Sequence, residues 1–330
     1  MQTSRRLTDT HAAIYRIYGM TFASCFPFRG SLAKGEAPPD LTFNCSCKER
    51  PPAERIPDRL EVKEPSENRL LLNRGADRDL LTIVGRAEFA VGEGDITSTI
   101  FDPQAEHFME IWFLGTILAY WLERQGIPVL HAAAIVAGGS AVGFMASNKG
   151  GKSSLAATML QAGCSLLSDD CLALRWHDQT LFASPGQPQM RFWPDQADHF
   201  LGRHEDLERV VPDESKRWVP VGRGNFGSFL DRPAPLRCLY LPSRQDPAQR
   251  GTEIEIQSVG GMDAVMELVR NSFIPHLVEF AGWQAQRLKF FAELVRQIPV
   301  RRLTYPDGVQ HLPRVRDAIL EDLETLPLEG

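Results

Sequence analysis

The sequence lacks a hydrophobic run long enough to cross a bilayer. Its most apolar window, IWFLGTILAYW at 111–121, is 11 residues between Glu110 and Glu123. A spanning helix needs about 20. A buried core helix is the better reading, and no membrane partner is expected. Basic excess is also missing. The formal net charge is −6, so no global field draws nucleic acid. Cysteine is scarce, at six in 330 residues, which excludes a disulfide scaffold. Cys45 and Cys47 stand one residue short of C-x-x-C, with no His or Cys close by. The thiols read as reduced and the protein as cytoplasmic. No apolar stretch follows the basic residues of MQTSRRLTDTHAA, which argues against a signal peptide there. No internal repeat is visible.

What is present suits a globular protein with a sizeable core: 43% hydrophobic and 24% charged residues. The predicted fold class is α/β, a mixed sheet (α+β) with a β-rich segment before it. Residues 1–103 form that N-terminal segment. YRIYGMTFAS (14–23) and LLTIVGRAEFAVGEGDITSTIF (80–101) carry strand composition with glycine turns. Between them, 31–68 has six prolines and reads as a long exposed or mobile loop. Residues 104–125 give the strongest helix signal, stopped by Gly126 and Pro128. Residues 104–330 are assigned to one ATP-binding catalytic domain.

Within that domain, VLHAAAIVAG reads as a strand, GGSA as a turn and AVGFMA as a second strand. Then comes ASNKGGKS at 146–153, followed by a helix. The phosphate-loop pattern is G-x-x-x-x-G-K-[ST]. Gly151, Lys152 and Ser153 match it, and Ala146 replaces the first glycine. Such a loop needs glycine because successive backbone N–H groups turn inward around an anion. Its lysine reaches the phosphates, its hydroxyl ligates Mg²⁺, and the helix start adds partial positive charge. The expected nucleotide-binding residues are Ser147, Asn148, Lys149, Gly150, Gly151, Lys152, Ser153 and Ser154. The alternative is an ordinary strand–helix turn.

Seventeen residues past Lys152 comes Asp169, the first Asp of LLSDD. An apolar strand ending in a carboxylate is the second half of such a site. Adjacent residues of a strand face opposite ways, so the two can divide the work. Asp169 is favoured as catalytic base and Asp170, with Ser153, as metal-associated; the reverse order stays open, as does a role as turn cap. His131 precedes the loop's first position by fifteen residues. It either lines the site or is structural. Arg191 sits in an apolar strand and wants a carboxylate or a phosphate. Lys216 and Arg217 belong either to a loop closing over phosphates or to a solvated turn. The aromatics at 193, 283, 290 and 291 read as core.

The run VLHAAAIVAGGSAVGFMASNKGGKSSLAATMLQAGCSLLSDD resembles the catalytic core of HPr kinase/phosphorylase. SPGQPQMRFWPD (184–195) and KRWVPVG…FLDRPAPLRCLYLPS (216–243) resemble shorter relatives found in peptide-modification clusters, the lasso-peptide kinases included. The resemblance implies a P-loop core related to phosphoenolpyruvate carboxykinase, ATP and Mg²⁺ as cofactors, and transfer to a serine hydroxyl. It implies the first Asp of the pair as the base, with His131 beside it. The family's metal-binding Glu has no counterpart here, and Gln189 or Asp195 stands near its place. The HPr-recognition signature is missing as well, which argues against HPr as substrate.

The expectation is an ATP-dependent kinase acting on a serine of a peptide or small protein, with Asp169, His131 and Lys152 catalytic. A homo-oligomer is left open. The alternative is an ATP-binding switch or partner subunit without transferase activity. A carboxykinase-like small-molecule enzyme ranks last.

Overall fold

The computed structural model describes residues 12–28, 32–36, 38–47, 60–63, 69–212 and 214–326. The chain divides into two compact units. One is 1–126 with 274–284; the other is 127–273 with 285–330. The sequence reading placed the boundary at 103/104. The helical stretch 104–125 instead belongs with the first unit.

Among the described residues, the first unit carries a nine-stranded sheet. Its strand order is Ala33–Lys34, Ala13–Ile17, Met20–Ser24, Leu41–Cys47, Asp95–Ile100, Ala87–Val91, Asp79–Ile83, Arg69–Asn73, Leu60–Lys63. MTFAS, DLLTI and AEFAV alternate buried and half-buried residues, as a sheet covered on one face requires. The cover is helical. A 3-10 turn (Pro103–Phe108) leads to α-helix at Met109–Trp112, a π turn at Phe113–Ile117, and α-helix again to Arg124. Phe113 stacks on Phe43 at 3.8 Å and meets Phe22 edge-on at 5.3 Å. These contacts explain why the helix stays with the sheet.

Residues 31–68 depart from the expected loop. Leu41–Cys47 is an inner strand, parallel to both Met20–Ser24 and Asp95–Ile100. Leu41 and Phe43 are fully buried. The prolines at 38 and 39 precede this strand and leave its ladder intact. Residues 48–59 and 64–68, also within that expected loop, lie outside the described residues. No disulfide joins any of the six cysteines.

One buried carboxylate ties the first unit together. Asp79 has no solvent exposure. It accepts hydrogen bonds from Arg124 Nη1 at 2.7 Å, Tyr120 Oη at 2.9 Å and Gly75 N at 3.2 Å. Nothing local in the sequence marks it. Asp79→Ala strands the Tyr120 hydroxyl and the Arg124 guanidinium, so we expect a loss of roughly 2–4 kcal/mol. Urea unfolding checks this; an unchanged midpoint would deny the node its role.

The second unit holds a mixed sheet ordered Ser228–Phe229, Ser165–Ser168, Val129–Ala137, Cys171–His177, Thr180–Ala183, Ala234–Gln245, Val300–Pro306, Glu255–Val259. Ser140–Met145 pairs with both Val129–Ala137 and Ala234–Gln245, so five strands close into a ring. Small residues make the closure fit. A Cβ at Gly143 would lie 2.6 Å from Leu239 and 3.3 Å from Leu172. VLHAAAIVA is apolar on both faces because helices cover both. Ala133, Ile135, Val142 and Phe144 pack with helices Lys152–Gln161 and Leu312–Thr325. Leu130, Ala132, Ala134 and Met145 pack with helices Gly261–Arg270 and Gln284–Gln297. Gly138 and Gly139 have φ of 57° and 85°, the two left-handed positions a tight hairpin needs. Among the described residues, no helix is long and apolar enough to cross a membrane.

Candidate functional site

The site grows from the end of strand Ser140–Met145. Gly151, at φ 90°, caps the helix that begins at Lys152. Lys149 is also left-handed, at φ 62°. Gly150 donates to Ser147 O at 3.0 Å. Both glycines are required. A Cβ on Gly150 would lie 2.4 Å from Ala146 Cβ, and one on Gly151 2.6 Å from Tyr305 Oη. Lys152 folds back over the loop. Its Nζ donates to Ala146 O at 2.7 Å and Ser147 O at 3.3 Å. Burial lowers its pKa, against the pull of Asp170 and Asp169. A desolvated cation beside open backbone N–H groups at a helix start is an anion cradle.

LLSDD is a strand followed by a turn. The strand ends at Ser168, the next begins at Cys171, and Asp170 is left-handed at φ 70°. The expectation that the pair sits on a strand is corrected. The turn still divides the two carboxylates. Asp169 Oδ1 accepts from Ser153 Oγ at 3.0 Å, and its Oδ2 accepts from Arg191 N at 3.2 Å. Asp170 faces the cleft and pairs with Arg191 Nη1 at 3.2 Å. Burial and the Asp170 charge push the Asp169 carboxyl up to about 6. For Asp170, burial acts in the same direction, but Arg191, His131, Lys216 and Lys152 outweigh it and hold the carboxyl below its ordinary value.

The cleft measures about 540 Å³. It gathers Lys149, Lys152, Arg191, Lys216 and Arg244 against the carboxylates of Asp170 and Asp195. An acidic chain thus presents a cationic hollow. Asn148, Ser153, Ser154 and His131 also line it.

His131, left open as site or structural residue from the sequence, lines the cleft. Burial, then Lys152, lower its pKa to about 4, so it is neutral at pH 7. Its folded pKa lies below the unfolded 6.5. The folded state therefore binds fewer protons, and stability present above pH 6.5 is lost as pH falls through 4. The loss is about 3 kcal/mol. His131→Gln should flatten that part of the stability–pH curve; an unchanged acid limb would contradict the shift.

Ser147, expected among the nucleotide-binding residues, lines a neighbouring hollow and not this cleft, and two further expected residues do not join the site. Arg217 is buried, and its guanidinium donates to His204 O at 3.2 Å and Ser215 O at 2.8 Å. It opens strand Arg217–Pro220 and serves backbone carbonyls. Gln189 donates to Gln187 Oε1 and stays out of the cleft. Asp195 does line it. Among the described residues, no group of three His, Cys, Asp or Glu side chains is placed to hold a metal.

Other site residues were not foreseen. Trp193, read as core, lines the cleft, with Lys149 Nζ 5.4 Å and Lys216 Nζ 5.0 Å from its ring centre. Gln196 accepts from Trp193 N at 2.9 Å and donates to Ser154 Oγ at 2.7 Å. Arg244 donates to Lys149 O and to Asp307 Oδ1. FWPDQ does carry a helix-start signal, proline with glutamine two residues on, but nothing local ties it to the loop.

No protein-family model matches the sequence, and no curated protein matches it. A solved structure, that of the Hpr(Ser) kinase/phosphatase from Coxiella burnetii, is similar to the chain at 12% identity and a TM-score of 0.33. The match covers 59% of this chain and 95% of that one.

Proposed function

We propose that the second unit is an ATP-dependent kinase that moves the γ-phosphoryl group to a hydroxyl, with a serine of a peptide or small protein as acceptor. One observation carries this reading: Ser153 and Asp169 are hydrogen-bonded at the loop mouth while Asp170 stays open to the cleft. A nucleotide switch needs only the first of these carboxylates; transfer also needs a base.

The residues fit a nucleotide with Mg²⁺. Close packing against Ala146 and Tyr305 enforces the loop's glycines at the helix start, and the hollow is cationic. Ser153 and Asp169 would hold Mg²⁺, which neutralises phosphate charge when bound. One carboxylate and one hydroxyl are enough, because Mg²⁺ takes its other ligands from phosphate and water.

Asp170 is the base in this reading. This reverses the order favoured from sequence. By pKa alone Asp169 is the better acceptor, since its carboxyl lies nearer neutrality. Geometry outweighs that, because both Asp169 oxygens are engaged and only Asp170 lines the cleft. Asp170 takes the proton of the attacking hydroxyl. Lys152 and Arg191 stabilise charge on the group in flight. Neutral His131 orients the acceptor.

The test is nucleotide titration with and without Mg²⁺. Tight binding that needs both Mg²⁺ and Asp169 supports the reading. Binding indifferent to Mg²⁺ would overturn it.

A further inference from the structure

A second cleft of about 600 Å³ adjoins the first at His131. His131, Gly150 and Arg244 line both hollows. The second is otherwise lined by Arg270, Arg302, Asn271 and Glu267, among others. Arg270 and Arg302 come from different elements, the end of helix Gly261–Arg270 and strand Val300–Pro306. Glu267 holds both, at 3.1 Å from Arg270 Nη1 and 3.5 Å from Arg302 Nη2. Their side chains remain 63% and 49% exposed.

The wall is tied to the first site. His131 N donates to Asn271 O at 2.7 Å, and Asn271 Nδ2 donates to Glu267 O at 2.9 Å. Leu130 bridges Ser272. The arginines are thus registered against the strand that carries His131.

We propose that this second cleft is the acceptor site and that it selects a hydroxyl compound bearing an anionic group, a carboxylate or a phosphate, beside the hydroxyl. The proposal rests on the kinase reading for the first cleft as the donor side. Glu267 pairs with Arg270 and Arg302, and Asp307 pairs with Arg244, so three guanidinium groups meet two carboxylates and a cationic excess remains at the hollow. Guanidinium forks match carboxylate and phosphate oxygens in pairs. Glu267 holds Arg270 and Arg302 in the absence of the acceptor, and an acceptor anion displaces it. A basic acceptor would meet like charge and be refused.

Isothermal titration on the full chain tests this. The probes are two heptapeptides with a central serine, flanked by glutamates or by lysines, and glycerate as a free hydroxy acid. The expected result is roughly tenfold or greater preference for the glutamate peptide. Arg270→Gln with Arg302→Gln should abolish that preference. Both side chains are exposed, so folding survives. Glu267→Gln frees both arginines and should tighten acidic binding, whereas a purely structural Glu267 would loosen it. Glycerate binding that depends on the same arginines, without peptide binding, supports the proposal with a small acceptor. Equal binding of the two peptides, binding indifferent to the arginines, or no binding by any probe overturns it. ATP affinity is read on the same proteins. If the acidic probe binds and ATP does not, the kinase reading fails and the anion-selective cleft stands.

Discussion

Lys152→Ala is expected to weaken ATP binding by roughly a hundredfold or more and to bring transfer near the background rate. The lysine is buried and its Nζ spans the loop from Ala146 O to Ser147 O. A cation held there without full hydration interacts with phosphate more strongly than a surface lysine would. The other cationic groups of the cleft, Lys149, Lys216, Arg191 and Arg244, sit on side chains already engaged with Trp193, Asp170 or Asp307. They cannot take over the loop position. The variant also loses two loop hydrogen bonds, so a melting curve accompanies the titration. Wild-type affinity in a folded Lys152→Ala protein would remove the loop from the nucleotide site.

Asp170→Asn is expected to slow phosphoryl transfer by roughly two to four orders of magnitude, the usual worth of a placed base, while ATP with Mg²⁺ still binds. The substitution keeps size and hydrogen-bonding reach and removes the proton acceptor. Asp169→Asn should behave differently. It removes the negative charge facing Mg²⁺ and sets an amide NH2 against one of the two donors, Ser153 Oγ or Arg191 N, so nucleotide affinity should fall in Mg²⁺ and change little without it. The pair of variants therefore separates the two carboxylates. If Asp169→Asn shows the pure rate defect instead, Asp169 is the base and Asp170 the metal-associated carboxylate.

Much of the donor site was legible because it is local. The glycine loop, Lys152, Ser153 and the Asp pair lie within 25 residues, 146–170, and their chemistry demands contiguous backbone. His131 was legible as a candidate because its strand pairs directly with the strand that enters the loop. The division of labour between Asp169 and Asp170 was not, because it depends on a left-handed turn that alternation along a strand cannot anticipate. Trp193, Gln196 and Arg244 reach the loop across 42 to 95 residues of chain, through packing no short pattern records. In the fold, Leu41–Cys47 was hidden by proline and charge around it, although LTFNCSC begins with strand alternation. The 274–284 segment joins the first unit through contacts such as Arg74 with Ala281 O and Trp283, which have no local signature at all.

Whether a γ-phosphoryl group reaches a hydroxyl is the central question, and one measurement addresses it. Purified protein, saturated with γ-labelled ATP and Mg²⁺, is mixed with a pool of serine-containing peptides in a single-turnover experiment, and labelled peptide is read by mass spectrometry. The expected result is labelled peptide with the wild type and a rate roughly 10²–10⁴ lower with Asp170→Asn at equal nucleotide occupancy. No labelled peptide from the nucleotide-saturated wild type would contradict it and leave the nucleotide switch as the better description.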